Sequence, residues 1–151
     1  MSNVRPHTNI RASAAALERA VIDETLKLYF SAFAEHEHSA RLALLAQCLT
    51  EKAEIWGPKK VFKGYDSISE KIDGFQARMP GARLVLASGF NIFRNNARFA
   101  VAIVGADGTI IATGEAVSEF TEDGRIFRVL PFWEALPPVP ESWPSHFVKQ
   151  P

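Results

Sequence analysis

Between Ala97 and Trp133 the chain reads ARFAVAIVGADGTIIATGEAVSEFTEDGRIFRVLPFW, three runs of β-branched and aromatic residues broken by two Asp-Gly steps. Glycine accepts the positive φ that tight turns between antiparallel strands demand. Ala106-Asp107-Gly108 and Glu122-Asp123-Gly124 therefore predict a three-stranded meander. The segments before it carry a different period. Ile22, Leu26, Tyr29, Phe30 and Phe33 recur at helical spacing, as do Leu42, Leu45, Ala46 and Leu49, and then Ile68, Ile72, Phe75 and Met79. Ser13 and Ser39 are suited to cap the first two helices, Asp66 starts the third, and Pro80-Gly81 stops it. Helices first and a long meander last define an α+β arrangement, with three N-terminal helices packed on one face of a curved, mostly antiparallel sheet.

Strand parity sorts side chains between the two faces of that sheet. Ala53–Trp56 reads as a short strand closed by Gly57-Pro58, and Val61-Phe62 as a second. From Arg83 onward the period is two. Leu84, Leu86, Ser88 and Phe90 fall on one side, as do Phe99, Val101 and Ile103, then Ala116, Ser118 and Phe120, then Phe127, Val129, Pro131 and Trp133. These bulkier or uncharged sets are expected on the concave face, under the helices. Residues 1–12 are expected to form a mobile lead-in, 13–134 a single domain, and 135–151 an extended surface tail, since that tail holds five of the nine prolines.

Composition removes several classes of function. Seventeen basic and seventeen acidic residues cancel, with no basic stripe to neutralise phosphates, so nucleic acid is an unsuitable partner. No apolar run approaches the ~20 residues of a membrane span. The first residues lack the continuous apolar core of a secretory signal, which makes a cytoplasmic location the expectation. Cys48 lies among apolar helix positions and reads as a buried small hydrophobe. His36 and His38, two residues apart, do not share a helix face and have no third ligand at suitable spacing, so no metal is expected. No cofactor-binding motif is present.

Four segments in this order carry a resemblance: LKLYFSAFAEHE in the first helix, AEIWGP in the first strand, FKGYDSISEKI entering the third helix, and GEAVSEFTEDGRIFRV in the closing strands. Together they resemble the nuclear transport factor 2-like superfamily and, within it, the SnoaL-like group, the polyketide cyclase and ketosteroid isomerase-like proteins. The match covers about Ala20 to Trp133. It implies a cone of three helices closing a strongly curved sheet around an apolar cavity, and a homodimer formed through the sheet's outer face. Ketosteroid isomerase works with an aspartate base, a tyrosine and a protonated aspartic acid. On that frame Tyr29 matches the tyrosine, while Gly57 stands at the base position and Ala116 at the acid position. SnoaL-type cyclases take an acid from the last strand, where this chain reads Val129-Leu130-Pro131. Neither set of acids is present.

Tyr29, Glu54 and Glu115 are the remaining catalytic candidates, although parity turns Glu115 outward. The expected ligand contacts are Tyr29, Phe33, Trp56, Phe75, Ser88 and Phe90, together with Phe99, Val101, Ser118, Phe127, Val129 and Trp133. An apolar cavity with two or three convergent polar groups is the usual form of a small-molecule site. Two readings stay open: a domain binding a small apolar organic molecule, with or without isomerase, cyclase, hydratase or hydrolase activity, and a non-catalytic dimeric module with a filled core. A transport adaptor has less support. Val85, Phe93, Ala100, Val117, Leu130 and Phe132 would leave the outer face too apolar for a monomer. Sedimentation equilibrium should therefore find a dimer at micromolar concentration that Val117→Lys weakens; a monomeric wild type would refute the sheet-to-sheet contact.

Overall fold

The computed structural model describes residues 4–151, with side chains from Arg19 onward. Helix α1 spans Val4–Ala34, α2 His38–Cys48 and α3 Tyr65–Arg78. Strands β1 (Leu49–Trp56), β2 (Val61–Lys63), β3 (Arg83–Leu86), β4 (Asn91–Phe93), β5 (Asn96–Val104), β6 (Ile110–Phe120) and β7 (Ile126–Phe132) form one sheet. Their order is β2-β1-β7-β6-β5-β3, with β4 also paired to β5. All pairings are antiparallel except β1 with β7, so the sheet is mixed. Both Asp-Gly steps turn hairpins as expected, with φ of 86° at Gly108 and 83° at Gly124. Beyond β7 the tail contains one short 3-10 helix, Ser145–Phe147, and exposes Leu136, Trp143 and Phe147.

The helical stripes pack where their periodicity directs them. Ile22, Leu26, Tyr29 and Phe33 of α1 and Ile68, Ile72 and Phe75 of α3 are buried against Phe99, Val101, Ala116 and Val129 of the sheet. Polar ties fix the helices to strand ends: Thr25 Oγ1 donates to the Gly124 carbonyl at 2.6 Å, and the Tyr65 hydroxyl donates to the Leu49 carbonyl at 3.0 Å. Some termini differ from expectation. Helix α1 begins at Val4 rather than Ser13, because Pro6 falls in the first turn, where its missing N–H costs no helical bond; residues 1–3 of the expected lead-in lie outside the described residues. Helix α2 is capped by Glu37, not Ser39. The Glu37 carboxylate accepts from the Ala40 N–H and from the Ser39 hydroxyl, and these bonds hold its carboxyl below the usual range.

Two irregularities upset the alternation. The strand expected from Arg83 through Phe90 breaks after Leu86, because the Ser88 hydroxyl replaces a backbone acceptor and takes the Ala100 N–H at 2.7 Å. Ser88 is thereby exposed instead of facing inward. Between β6 and β7 the register shifts: Glu119 opposes Arg128, but Phe120 opposes Ile126. The extra residue of this bulge is Phe127, and Ile126 takes the inward place assigned to it.

Helix α2 buries its one arginine completely. Arg41 is 1% exposed, yet every face of its guanidinium is used. Nε donates to the Glu35 carbonyl at 3.0 Å, Nη1 to Asp73 Oδ1 at 2.7 Å and to Ser69 Oγ at 3.0 Å, and Nη2 to Gln76 Oε1 at 2.9 Å. Gln76 extends the network, donating from Nε2 to the Phe33 and Glu35 carbonyls. One side chain thus joins the C-terminal end of α1, the body of α2 and the middle of α3. Arg41→Met should lower the unfolding free energy by about 2–4 kcal/mol in urea, since several charge-assisted bonds vanish together. Arg41→Lys should recover little, because an ammonium cannot reproduce the planar fork. A loss below about 0.5 kcal/mol for Arg41→Met would show that the helices are held by apolar contacts alone.

Candidate functional site

Between α1, α3 and the concave sheet lies a cavity of about 140 Å³. Helix α1 contributes Tyr29, Phe30 and Phe33, and α3 contributes Lys71, Phe75, Arg78 and the adjoining Met79. The sheet side is apolar: Ile55, Leu84, Phe99, Val101, Ile103, Ala116, Val129 and Pro131. Trp133 closes one wall from just beyond β7. It can do so because β6 has a glycine opposite it: a β-carbon at Gly114 would stand 2.5 Å from the Phe132 carbonyl oxygen and 2.9 Å from the Trp133 ring. Any side chain there would push the tryptophan away from the cavity.

The aromatic rings are coupled edge to face rather than stacked. Tyr29 meets Phe33 at 5.1 Å between centroids, Phe33 meets Phe75 at 5.9 Å, and Phe90 meets Phe99 at 5.9 Å. Burial pushes the Tyr29 phenol well above its ordinary range, with the neighbouring Cys48 adding a smaller effect. The group is therefore a neutral hydrogen-bond donor, unsuited to act as a base. Among the described residues its hydroxyl has no hydrogen-bond partner. Cys48 itself is pushed up to about 12 by burial, so it stays a thiol and packs as a small hydrophobe. On α3 the Lys71 ammonium is shifted downward, first by burial and then by the charge of Arg78.

The structure brings Tyr29, Phe33, Phe75, Phe99, Val101, Val129 and Trp133 to the cavity and leaves the other expected contacts outside it. Trp56 is 44% exposed on the outer face, because β1 turns Ala53 and Ile55 inward and Glu54 and Trp56 out. Ser88 and Phe127 are displaced by the strand break and the bulge. Phe90 packs on Phe99 behind the lining. Ser118 does face inward, but it is fully buried within the sheet and its hydroxyl has no partner among the described residues.

Neither remaining carboxylate reaches the cavity. The Glu54 carboxylate accepts from the Trp56 indole N–H at 2.9 Å and lies within 4.0 Å of Lys63 and Arg128 on the outer face. Chiefly the indole bond holds its carboxyl below the usual range. Glu115 is exposed beside Arg98, as parity indicated. Ala116 does line the cavity at the position of the missing acid, whereas Gly57 lies in the β1–β2 turn, its N–H donating to the Lys60 carbonyl. Among the described residues no three His, Cys, Asp or Glu side chains gather as a metal site, and no helix is long and apolar enough to cross a membrane.

Lys71 and Arg78 escape the sequence reading, although a signal for them exists. They lie four residues before and three after Phe75, on the edge of the same helical stripe. A search for apolar periodicity passes over charged members of a stripe, which is how a polar rim on a cavity is hidden.

No protein-family model matches the sequence, and no curated protein sequence does either. Solved structures do resemble it. A SnoaL-like family protein of Agrobacterium tumefaciens, named as a candidate isomerase, is 27% identical with a TM-score of 0.68, over 79% of this chain and 99% of its own. A candidate SnoaL-like polyketide cyclase of Jannaschia is 11% identical with a TM-score of 0.61, over 75% and 85%. A de novo designed protein with a curved β-sheet is 14% identical with a TM-score of 0.59, over 77% and 87%. This chain therefore shares the nuclear transport factor 2-like fold of these structures, SnoaL-like proteins among them. That a designed chain shares the architecture means that function must be argued from the cavity.

Ser118 gives a direct check on the lining. A buried hydroxyl without a partner contributes no net stability, so Ser118→Ala should leave the unfolding free energy within about 0.5 kcal/mol of wild type or raise it. A loss above about 1 kcal/mol in urea unfolding would show that the hydroxyl is engaged in the folded state.

Proposed function

We propose that this protein binds a small, largely apolar organic molecule inside the cone. The observation that carries the reading is the cavity itself: an aromatic and aliphatic lining with a neutral phenol and two cations as its only strongly polar side chains. A filled core, the competing reading, would leave no such space next to seven of the expected contact residues. The neutral Tyr29 hydroxyl is suited to polarise a carbonyl or hold it in place. The homodimer belongs to this proposal as well. Trp56, Phe93 and Phe132 stay exposed on or beside the outer sheet face, which a second copy would cover.

The Agrobacterium protein's description as a candidate isomerase favours a second reading, in which the bound molecule is turned over. Against it stands a lining without Asp, Glu or His. A general acid or base contributes roughly 10²–10⁴-fold to rate, and its absence should be plain in an assay. Purified protein should bind single-ring ketones, followed by Trp133 fluorescence, and should not isomerise a β,γ-unsaturated ketone above the buffer rate. Tyr29→Phe should weaken the ketone by about 0.5–1.5 kcal/mol, the worth of one neutral hydrogen bond. Turnover with a bell-shaped pH profile would instead establish the enzymatic reading, and absence of any binding would refute the cavity as a site.

A further inference from the structure

Two cations border the apolar cavity, and among the described residues neither has a carboxylate partner. Lys71 is half-buried, and its Nζ lies 5.1 Å from the Phe62 ring centroid, a ring it shares with Lys60 at 4.6 Å. Quadrupole attraction to a shared phenylalanine is weak compensation for an ammonium removed from water. Helix α3 offers nothing better, since the residues three and four away from Lys71 are Ser67, Ile68, Gly74 and Phe75. Glu70 and Asp73, one residue before and two after Lys71, do not face it around the helix, and Asp73 is ion-paired with Arg41. No Asp or Glu lines the cavity.

Gly74 adds an independent observation. Glycine inside a helix is unfavourable relative to alanine, and here the end of the Arg78 side chain lies close against it. A β-carbon at Gly74 would stand 3.0 Å from an Nη of Arg78. The guanidinium lies back along α3 beside a bare Cα, on the side of Lys71. The helix accommodates two like charges approaching one another at the edge of an apolar cavity, and Arg78 depresses the ionisation of Lys71.

An arrangement that raises the local cost of positive charge is suited to one class of guest. We infer that the cone takes a single-ring organic acid, its ring among Tyr29, Phe75 and Phe99 and its carboxylate between Lys71 and Arg78. The inference rests on the cavity being the ligand site proposed above. Size supports the ring: an apolar cavity of roughly 150 Å³ accommodates a benzene-sized guest, and this one measures about 140 Å³. Charge supports the acid, because a carboxylate offers two oxygens to a guanidinium and an ammonium together. The apolar body accounts for the lining, and the anionic end accounts for the two cations at its border.

Phenylacetate and its neutral isostere phenylacetamide separate these contributions when titrated calorimetrically into the full chain. The acid should bind about tenfold or more tightly than the amide, as charge-assisted bonds require, and salt should erode that preference. Lys71→Gln and Arg78→Gln should each reduce acid affinity several-fold while leaving amide affinity unchanged, which also shows that the variants are folded. Gly74→Ala displaces only the guanidinium; it should weaken the acid with a thermal midpoint equal to or above wild type. Equal affinity for acid and amide overturns the acid assignment while leaving the cavity as a binding site. Failure of both compounds to bind overturns the assignment together with the reading it rests on.

Discussion

The architecture depends on the guanidinium of Arg41. A fully buried cation is tolerated only where its donors are matched, and here α2 reaches two other helices at once, through the Glu35 carbonyl just past α1 and through Ser69, Asp73 and Gln76 of α3. Apolar stripes alone would press α1 and α3 onto the sheet, but they are tolerant of sliding. Directional bonds to carbonyls and carboxylates are not, so Arg41 sets the register of the helices relative to one another. Tyr29 and Phe33 lie just before its α1 contact, and Phe75 sits between its α3 contacts Asp73 and Gln76. The cavity wall is consequently held by the network and does not need a ligand to assemble it.

A preformed apolar cavity bordered by cations differs from the acid-based sites associated with this fold. Ala116 faces inward where a carboxyl would stand on the ketosteroid isomerase frame, and the carboxylates Glu54 and Glu119 form ion pairs with Arg128 on the opposite face of the sheet. The outer face thus carries acids and bases paired with one another, whereas Lys71 and the exposed Arg78 border the cavity without a carboxylate partner among the described residues. On the proposed reading such a site favours binding and orientation over proton transfer, since burial disfavours ionisation of Tyr29 and Lys71 has no carboxylate partner among the described residues.

The sequence made the helices and the meander legible because long stripes and Asp-Gly turns are local signals. Ile22 through Phe33 and Ile68 through Met79 pack as their spacing indicates, and Phe99, Val101 and Val129 face the cavity as parity indicates. Parity failed where the chain leaves regular pairing. Phe127 is the extra residue of a bulge, Ser88 substitutes its hydroxyl for a backbone acceptor, and Trp56, expected at the cavity, alternates outward on β1 while Ala53 and Ile55 turn inward. The bulge and the strand break have one cause in common: a local interruption changes which side chains face inward, and it depends on a partner strand distant in sequence. Arg41, Lys71 and Arg78 were overlooked for a different reason. A charged residue on a buried stripe makes sense only once its neighbours from other helices are known.

The parallel pairing of β1 with β7 bears on when the cavity can exist at all. Ile55 and Val129, which stand side by side in the lining, are in register only across that pairing. The helices and β1 leave the ribosome long before β7, so the growing chain carries an incomplete cone whose apolar interior is open along one edge. Hairpins β5–β6 and β6–β7 form from neighbouring segments, but the joint between first and last wall requires closure of a long loop. Synthesis of the final strand is then the event that seals the chamber, and until it emerges the inner faces of α1 and α3 are surfaces for chaperones to shield.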